Sequence, residues 1–403
     1  MNLLHIIGSV SPEGGGPVEG ILRQYAASKD QIHWEVASCD TPESEYLTKF
    51  PLPVHALGIR RARSFSPRAR FLTHYRHTPR FIPWLQENIY RFDAVIINGL
   101  WNYTTYASSY VLSKRNVPYF VFTHGMLDPW FRQAYPLKDR IAKQAFWWFN
   151  EGPLLSRANA VLFTCEEERR LASARYLGYQ RYKEAVVGYG TTEPPPASRE
   201  QITALHAHIP GLKARRFLLF LSRIHQKKGC DMLVEAFARI AHVYTDLDLV
   251  IAGPDEEGAI PALQKRAKEL GIQSRIYWPG MISGEAKWGA LREAEAFILP
   301  SHSENFGIVV AEAMACATPV LITDKVNIWR EVKSGNSGLV ETDTIDGTIR
   351  LMQRWLALSK ETQSEMRTAA RKGYENHFRM EIATQKLLQI VRMTKHGRER
   401  PAG

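Results

Sequence analysis

Short apolar runs alternate with amphipathic segments along most of the chain. In the first half these runs are residues 3–7, 92–98, 118–123, 160–164 and 185–190. In the second half they are residues 217–222, 247–252, 275–278, 296–299 and 319–323. Apolar runs of this length, bounded by turns, are typical of buried strands. Because strands alternate with helical segments in both halves, the pattern predicts an α/β protein with two doubly wound parallel sheets.

A proline-rich segment separates the two halves. Residues 192–198 read TEPPPAS, a composition typical of a stiff linker. We therefore predict a first domain over residues 1–193 and a second over residues 194–379. The length of 403 residues also favours two domains, because single hydrophobic cores rarely grow so large.

The composition is that of an ordinary globular protein, with 45% hydrophobic and 23% charged residues. No apolar run approaches the length of a membrane-spanning helix, and residues 1–8 are interpreted as a first strand rather than a signal peptide. The four cysteines lack paired spacing, so we expect a cytoplasmic enzyme. The net charge of +11 indicates an anionic substrate or membrane face. Nucleic acid is not expected, because the chain has no recognised nucleic-acid motif and no long Lys/Arg tract.

The most informative stretch is residues 296–314. It predicts a strand, then a polar loop containing Gly307, then a helix that begins at Ile308. Glu304 and Glu312 are eight residues apart, so helical spacing predicts Glu304 at the helix mouth and Glu312 two turns along the same side. A helix N-terminus beside two carboxylates predicts a site for an anionic ligand that also carries hydroxyl groups.

Two cationic residues follow another predicted strand end. A guanidinium at Arg223 and an ammonium at Lys228 suit a pyrophosphate, and they would neutralise a diphosphate leaving group without a metal. A surface ion-pair role is the alternative. No His or Asp spacing typical of a metal site stands out, so no metal is predicted.

The first half offers two further candidates. Gly14, Gly15 and Gly16 lie between a predicted strand and a helix, where they either let a ligand approach the backbone or form a flexible turn. His124 directly follows a predicted buried strand, the position at which α/β sheets bind ligands.

Residues 60–80 are rich in arginine and aromatic residues and contain no acid. This pattern favours contact with anionic lipid headgroups or a phosphorylated acceptor, and the alternative is a solvated helix face. The arginines that we assign to this role are Arg60, Arg61, Arg63, Arg68 and Arg70. Residues 144–149 are predicted to form a helix core or a domain-packing face rather than a membrane anchor.

Taken together, these motifs resemble those of a known family. Residues 303–307 with Glu312 resemble the glutamate-x7-glutamate motif of family-4 retaining glycosyltransferases of the GT-B fold. Arg223 with Lys228 is similar to that family's diphosphate-binding pair. The three glycines resemble its N-terminal glycine loop, and His124 its N-domain histidine. The resemblance implies two Rossmann-like domains facing a central cleft, with a C-terminal helix over residues 380–395 completing the first domain.

The resemblance also implies a role for each site residue. Glu304 would bind the sugar hydroxyls, Glu312 the ribose, and His124 the sugar near its reacting carbon, so that His124 and Glu304 form the catalytic pair. Residues 278–281 would lie near the base. The donor-binding set would be Gly15, Gly16, Arg223, Lys228, Gly253, Met281, Asn305, Phe306, Gly307 and Glu312.

The implied activity is sugar transfer with retention, from a nucleoside-diphosphate sugar to a hydroxyl of a glycan or lipid-linked acceptor. We expect it to need no metal or other cofactor and to serve cell-surface polysaccharide synthesis, at the inner face of the membrane. The alternatives are a GT-B epimerase or phosphorylase and a non-catalytic nucleotide- or carbohydrate-binding module.

Overall fold

The chain forms two compact units. The computed structural model describes residues 1–60, 66–129, 136–172, 176–179, 181–212 and 215–399, with the side chains of residues 67–69 and 396–399 left aside. One unit is Gly190–Arg379. The other is Met1–Tyr189 together with the C-terminal segment from Met380, which includes the helix Met380–Glu399. The predicted boundary, between residues 193 and 194, lies just inside the second unit.

The first unit is built on a parallel sheet. The described strands are β1 (Asn2–Ile7), β2 (His33–Ser38), β3 (Val54–Ala56), β4 (Ala94–Asn98), β5 (Tyr119–Phe122), β6 (Ala160–Phe163) and β7 (Glu184–Val186). Their order in the sheet is β3-β2-β1-β4-β5-β6-β7. Ile7 pairs with Asn98, so β1 and β4 end side by side.

Helices cover both faces of this sheet. The described α-helices of the unit are Gly16–Ser28, Pro67–His74, Phe81–Asn88, Tyr103–Leu112, Leu137–Phe146, Gly152–Arg157, Glu166–Ala172 and Met380–Glu399. Successive side chains of β1 enter opposite layers: Leu4 and Ile6 pack with one apolar core, and Leu3 and Ile7 with the other. Leu387 from the C-terminal helix belongs to the second of these cores.

The second unit repeats the same architecture. Its described strands are β8 (Arg216–Leu221), β9 (Leu247–Ala252), β10 (Ile276–Gly280), β11 (Ala296–Leu299), β12 (Val320–Thr323) and β13 (Gly338–Glu341). They pair in parallel in the order β10-β9-β8-β11-β12-β13. The described α-helices are Arg199–His208, Cys230–Ala241, Ile260–Glu269, Gly284–Glu293, Ile308–Ala315, Trp329–Ser334, Ile345–Leu356 and Lys360–Gly373. The order reverses between β8 and β11, which is where open α/β sheets bind ligands.

The packing prediction for residues 144–149 is only half right. Trp147 is buried, but Trp148 is 46% and Phe149 is 84% exposed. The α-helix Leu137–Phe146 ends there and continues as a π-helix, Trp147–Glu151. Within the described ranges, we find no helix that combines the length and the apolar character needed to cross a bilayer.

Candidate active site

The loop after β8 carries both predicted cations of the second unit. Arg223 is 57% exposed and its Nη1 lies 3.0 Å from Oε2 of Glu256. Lys228 lies in a 3₁₀ turn and is 8% exposed. Gly229 follows with φ = 66°, and a Cβ there would collide with the carbonyl oxygen of Pro300. Since only glycine fits this approach, the Lys228 loop is fixed against the end of β11.

The loop after β11 brings Glu304 to Lys228. The backbone N–H of His302 donates to the carbonyl of Lys227 at 2.8 Å, which joins the two loops. The Glu304 carboxylate then forms an ion pair with the Lys228 ammonium. The Glu304 backbone is held on its other side, donating to the Lys325 carbonyl at 2.9 Å. Glu304 and Lys228, separated by 76 positions in sequence, therefore form one charged pair at the carboxyl edge of the sheet.

Glu312 lies in the helix that follows. It is 3% exposed, and its Oε2 lies 2.7 Å from Nζ of Lys287 on the neighbouring helix Gly284–Glu293. The helix itself begins at Ile308, after Gly307 in the left-handed region. Glu304 is thus outside the helix, and helical periodicity does not relate it to Glu312. The prediction that Glu304 stands at the helix mouth is confirmed. The prediction that Glu304 and Glu312 lie on the same side of one helix is wrong.

The other predicted donor residues lie at neighbouring strand ends. Gly253 follows β9, and a Cβ there would collide with the Ser222 carbonyl oxygen, so β8 and β9 stay close. Met281 directly follows β10 and is 67% exposed. Asn305 and Gly307 precede the helix Ile308–Ala315. Phe306, between them, is buried and its ring packs edge-on against Phe378.

In the first unit, the glycine loop lies at the start of a long helix. Gly15 and Gly16 are exposed, and a Cβ added to either would meet no atom within 4 Å. The loop before them is anchored by Asp40, whose carboxylate accepts from Ser9 Oγ at 2.5 Å and from the Val10 N–H at 2.8 Å. Sequence reasoning missed Asp40, although an acid just beyond a strand end is the available signal.

His124 is the last link of a buried polar chain. Its Nε2 lies 3.1 Å from Oδ1 of Asn98, so Nε2 carries the proton and donates. The Asn98 amide donates in turn to Nδ1 of His5 at 3.1 Å. Burial lowers the pKa of His124 to about 4, so its ring is neutral at pH 7. Sequence reasoning missed Asn98. It is the polar residue that ends β4, beside the strand β5 that His124 follows, and this position was the available signal.

A buried carboxylate fixes the backbone around His124. Oε1 of Glu168 accepts from Thr123 Oγ1 at 2.7 Å and from the Gly125 N–H at 2.6 Å. Its Oε2 accepts from the Thr164 N–H at 2.7 Å. Glu168 lies in the first turn of the helix Glu166–Ala172, and its carboxylate ties the ends of β5 and β6 together. His124 itself has φ = 47°, which this bracing holds in place.

Because His5 is buried, the stability of the fold depends on its neutral form. Burial, and next the nearby His124, lower the pKa of His5 from 6.5 to about 3. As pH falls below 6.5 the unfolded chain binds a proton that folded His5 rejects, so folding loses stability until pH reaches about 3. We expect His5 to account for about 2 kcal/mol of the unfolding free energy lost between pH 7 and pH 5.

Urea unfolding of wild type and His5→Gln at both pH values measures this contribution. The glutamine keeps an acceptor for Asn98 and does not titrate. Acidification should therefore cost the variant less than wild type by that amount. Equal losses in the two proteins would contradict the burial argument.

The first unit also contains a cavity of about 510 Å³ at the ends of β4 and β5. Trp101 and Met126 are among its lining residues, and Lys143 lies over the Trp101 ring at 5.1 Å. The Glu151 carboxylate accepts from the backbone N–H of Trp101 at 2.9 Å. Burial raises the pKa of Glu151 to about 7 and lowers that of Lys143 to about 8. The cavity thus offers aromatic faces and the side chains of Lys143 and Asp139 to a polar ligand, whereas Glu151 is fully buried behind Trp101.

The predicted arginine surface is described only in part. Arg60 and Arg70 are exposed. Arg61 and Arg63 lie outside the described residues, and Arg68 is described only as part of the helix Pro67–His74. In the part of the chain that the structure covers, no group of three or more His, Cys, Asp or Glu side chains is placed to hold a metal ion.

Two family models match the chain, one in each half. Residues 15–190 match the glycosyl transferase 4-like domain, and residues 204–373 match glycosyl transferases group 1. Among curated proteins, D-inositol 3-phosphate glycosyltransferase of Arthrobacter sp. (strain FB24) is 32% identical over 155 residues, which cover 36% of this chain and 33% of the relative. Alpha-D-kanosaminyltransferase of Streptomyces kanamyceticus is 31% identical over 130 residues, covering 32% and 33%. The chain thus spans about a third of the length of these curated relatives.

Solved structures share the fold over nearly the whole chain. Sucrose-phosphate synthase from Thermosynechococcus elongatus has a TM-score of 0.76 at 18% identity, covering 98% of this chain and 100% of that one. The Anabaena protein HepE in complex with UDP has a TM-score of 0.76 at 15% identity, with coverage of 98% and 100%. Because family models match both halves, the chain belongs to the glycosyl transferases, with a glycosyl transferase 4-like domain followed by a group 1 domain, and it shares the fold of these solved structures.

Proposed function

We propose that this protein transfers a sugar from a nucleoside-diphosphate sugar to an acceptor hydroxyl, with retention of configuration. The observation that carries the proposal is the Lys228–Glu304 pair at the carboxyl edge of the second sheet. It combines a cation for the diphosphate with a carboxylate for sugar hydroxyls. Arg223 and the N-terminal end of the helix Ile308–Ala315 add positive charge from the same edge.

The proposed reaction follows from where charge grows. The bond between the sugar's anomeric carbon and the diphosphate oxygen breaks, and the acceptor oxygen bonds to that carbon on the same face. The acceptor's proton passes to the departing diphosphate. Lys228 and Arg223 stabilise the charge on the leaving group, which lowers the barrier because this charge is greatest after bond cleavage. Glu304 orients the sugar through its hydroxyls.

Three further assignments complete the proposal. Glu312 binds the ribose hydroxyls, for which it exchanges part of its contact with Lys287. Asn305, Phe306 and Gly307 supply backbone N–H groups to the donor. The two cations supply the positive charge that a metal would otherwise provide, so we propose that the reaction needs none.

The roles of other residues rest on the family resemblance. Gly253 and Met281 are proposed to contact the donor, with Met281 near the base. Gly15, Gly16 and His124 are the residues of the first unit that we propose to act on the donor. His124 is neutral at pH 7, so we propose that it acts through hydrogen bonding rather than as a cation.

The acceptor is proposed to be a glycan or lipid-linked hydroxyl in cell-surface polysaccharide synthesis. Support comes from HepE, solved with UDP, and from a solved glycosyltransferase, WaaG, that is described as involved in lipopolysaccharide biosynthesis. The exposed Arg60 and Arg70 support a peripheral site at an anionic, inner membrane face.

A ligand screen followed by turnover tests the proposal. We expect one nucleoside diphosphate and its sugar to raise the melting temperature, because ligands that bind only the native state stabilise it. That donor should release nucleoside diphosphate in the presence of an acceptor, equally with and without EDTA. NMR of the product should show the anomeric configuration of the donor.

The outcomes separate the rivals. Conversion of the nucleotide-sugar alone into an isomer would indicate an epimerase. Turnover that requires inorganic phosphate would indicate a phosphorylase. Binding with no release for any acceptor would indicate a non-catalytic module.

A further inference from the structure

An apolar surface lies along one helix of the first unit. On the helix Leu137–Phe146 and the π-helix that follows it, Leu137 is 69%, Ile141 is 63% and Phe149 is 84% exposed. Leu137 and Ile141 are four residues apart, which places them on one side of the helix, and Phe149 lies in the π-helical turn that continues it. Large apolar side chains this exposed, and grouped, are typical of an interaction site rather than of ordinary surface.

The surface extends to a second segment without exposing an unsatisfied polar group. Trp148 is 46% exposed, and its indole N–H donates to the Leu177 carbonyl at 2.7 Å. The Leu177 N–H donates to the side chain of Gln144 at 3.1 Å. Leu177 itself is 66% exposed. Because these polar groups are already bonded, the indole ring and the leucine can leave water without a desolvation penalty from the indole N–H.

The charges beside this surface are positive. Lys138 and Arg140 are exposed on the same helix. The acid of that helix, Asp139, lines the cavity instead. Exposed apolar side chains flanked by Lys and Arg form the pattern of a helix that lies in a membrane interface.

The positive charge continues onto the adjacent helix Pro67–His74. The rings of Tyr75 and Phe146 lie 5.7 Å apart, which places the two helices next to each other. Phe71 is 51% exposed and Arg70 is exposed on that neighbour. The arginine segment therefore lies beside the helix that carries the apolar surface.

We propose that this docking surface, Leu137, Ile141, Trp148, Phe149 and Leu177 flanked by Lys138 and Arg140, inserts into the headgroup boundary of an anionic membrane. A second copy of the chain is a poorer partner, because a twofold contact would bring the cations of both copies together. Anionic headgroups pair with those cations instead. The proposal rests on the proposed function only for the choice of acceptor.

The same helix connects the docking surface to the cavity. Asp139, Ala142 and Lys143 line the cavity, whereas Leu137 and Ile141 face solvent. A helix with its side chains is about 10–12 Å across. A membrane-bound acceptor would therefore present its polar head within that distance of the cavity and of the ends of β4 and β5.

Flotation of the full chain with vesicles tests the proposal. We expect binding to phosphatidylcholine vesicles with about a third phosphatidylglycerol, and roughly tenfold or greater loss of the partition coefficient for Ile141→Ser with Phe149→Ser. Val243→Ser is the matched control, because Val243 is also 63% exposed but lies in the second unit. Lipids brominated near the headgroup should quench tryptophan emission of wild type more than that of Trp148→Phe.

Three results would overturn the proposal. One is vesicle binding that the double variant retains, including the case in which only Arg60→Glu with Arg70→Glu abolishes it. Another is no binding by wild type. The third is a wild-type dimer in light scattering that the double variant dissociates. Nucleoside diphosphate release with a soluble acceptor should be equal in wild type and the double variant. If no donor is turned over while vesicle binding behaves as expected, the proposed function falls and the docking surface stands.

Discussion

Glu304→Ala is expected to reduce sugar transfer by about 10²–10³-fold while nucleoside diphosphate still binds. The carboxylate lies at the strand end, paired with Lys228, and in our proposal it holds the sugar rather than the nucleotide. Its loss therefore removes donor orientation in the transition state and leaves the phosphate contacts. Steady-state kinetics with the full donor, and calorimetry with the nucleoside diphosphate, separate these two effects.

Two further variants show whether Glu304→Ala loses activity only because the protein is less stable. Glu304→Ala leaves the nearly buried Lys228 ammonium without its partner, at a cost of about 1–3 kcal/mol of folding stability. Glu304→Gln keeps the volume and hydrogen-bonding capacity, and should be similarly inactive if the negative charge matters. Glu235→Gln breaks a surface pair with Arg266 in the same unit and should retain full turnover. Unchanged transfer by both Glu304 variants would sink the assignment.

Most strands could be predicted from sequence because their side chains are apolar on both faces. The run at residues 296–299 became β11, and the helix predicted from Ile308 begins there. A parallel sheet covered by helices on both sides requires such continuous apolar runs, so they are visible without structural information. The end of the loop at Gly307 could also be predicted locally, because the left-handed backbone conformation there favours glycine.

Three described strands, β2, β3 and β13, were not predicted. β2 contains Glu35, which is buried and bonded to His33, His55 and Arg91, so its sequence does not read as an apolar run. β3 has only three residues, and β13 begins at Gly338 and ends at Glu341, so neither forms an apolar run. For such segments the stabilising contacts come from elsewhere in the fold, and no local pattern reports them.

The candidate site, like the fold, could be predicted only in part. Residue types at strand ends predicted Arg223, Lys228 and His124 as candidates. The partners that fix them could not be predicted, because Lys228 and Glu304 are 76 positions apart and Glu168 bonds across 43 positions to Gly125. The exposed Trp148 and Phe149 were also missed, because an aromatic run looks the same whether it packs inward or faces solvent.

Lys228 and Arg223 provide a graded test of leaving-group stabilisation. Lys228 is 8% exposed, and Arg223 is 57% exposed and bonded to Glu256. A charge acts more strongly where water is excluded, so Lys228 should contribute more to the barrier than Arg223. We expect Lys228→Ala to reduce kcat about 10²–10³-fold and Arg223→Ala only about tenfold.

A structural role for Lys228 would give a different result from a role in charge stabilisation. If Lys228 stabilises the departing diphosphate, added ethylammonium should restore part of the activity of Lys228→Ala, because the truncated side chain leaves room for a small cation. The same salt should not rescue Glu304→Ala, in which a carboxylate is missing. Because Lys228 and Glu304 contact each other, the double variant should lose less than the product of the single losses. A shared role in bond cleavage requires both charges at once. If the double variant instead lost activity by the product of the two single losses, and the amine restored none, Lys228 and Glu304 would not act as one unit in catalysis.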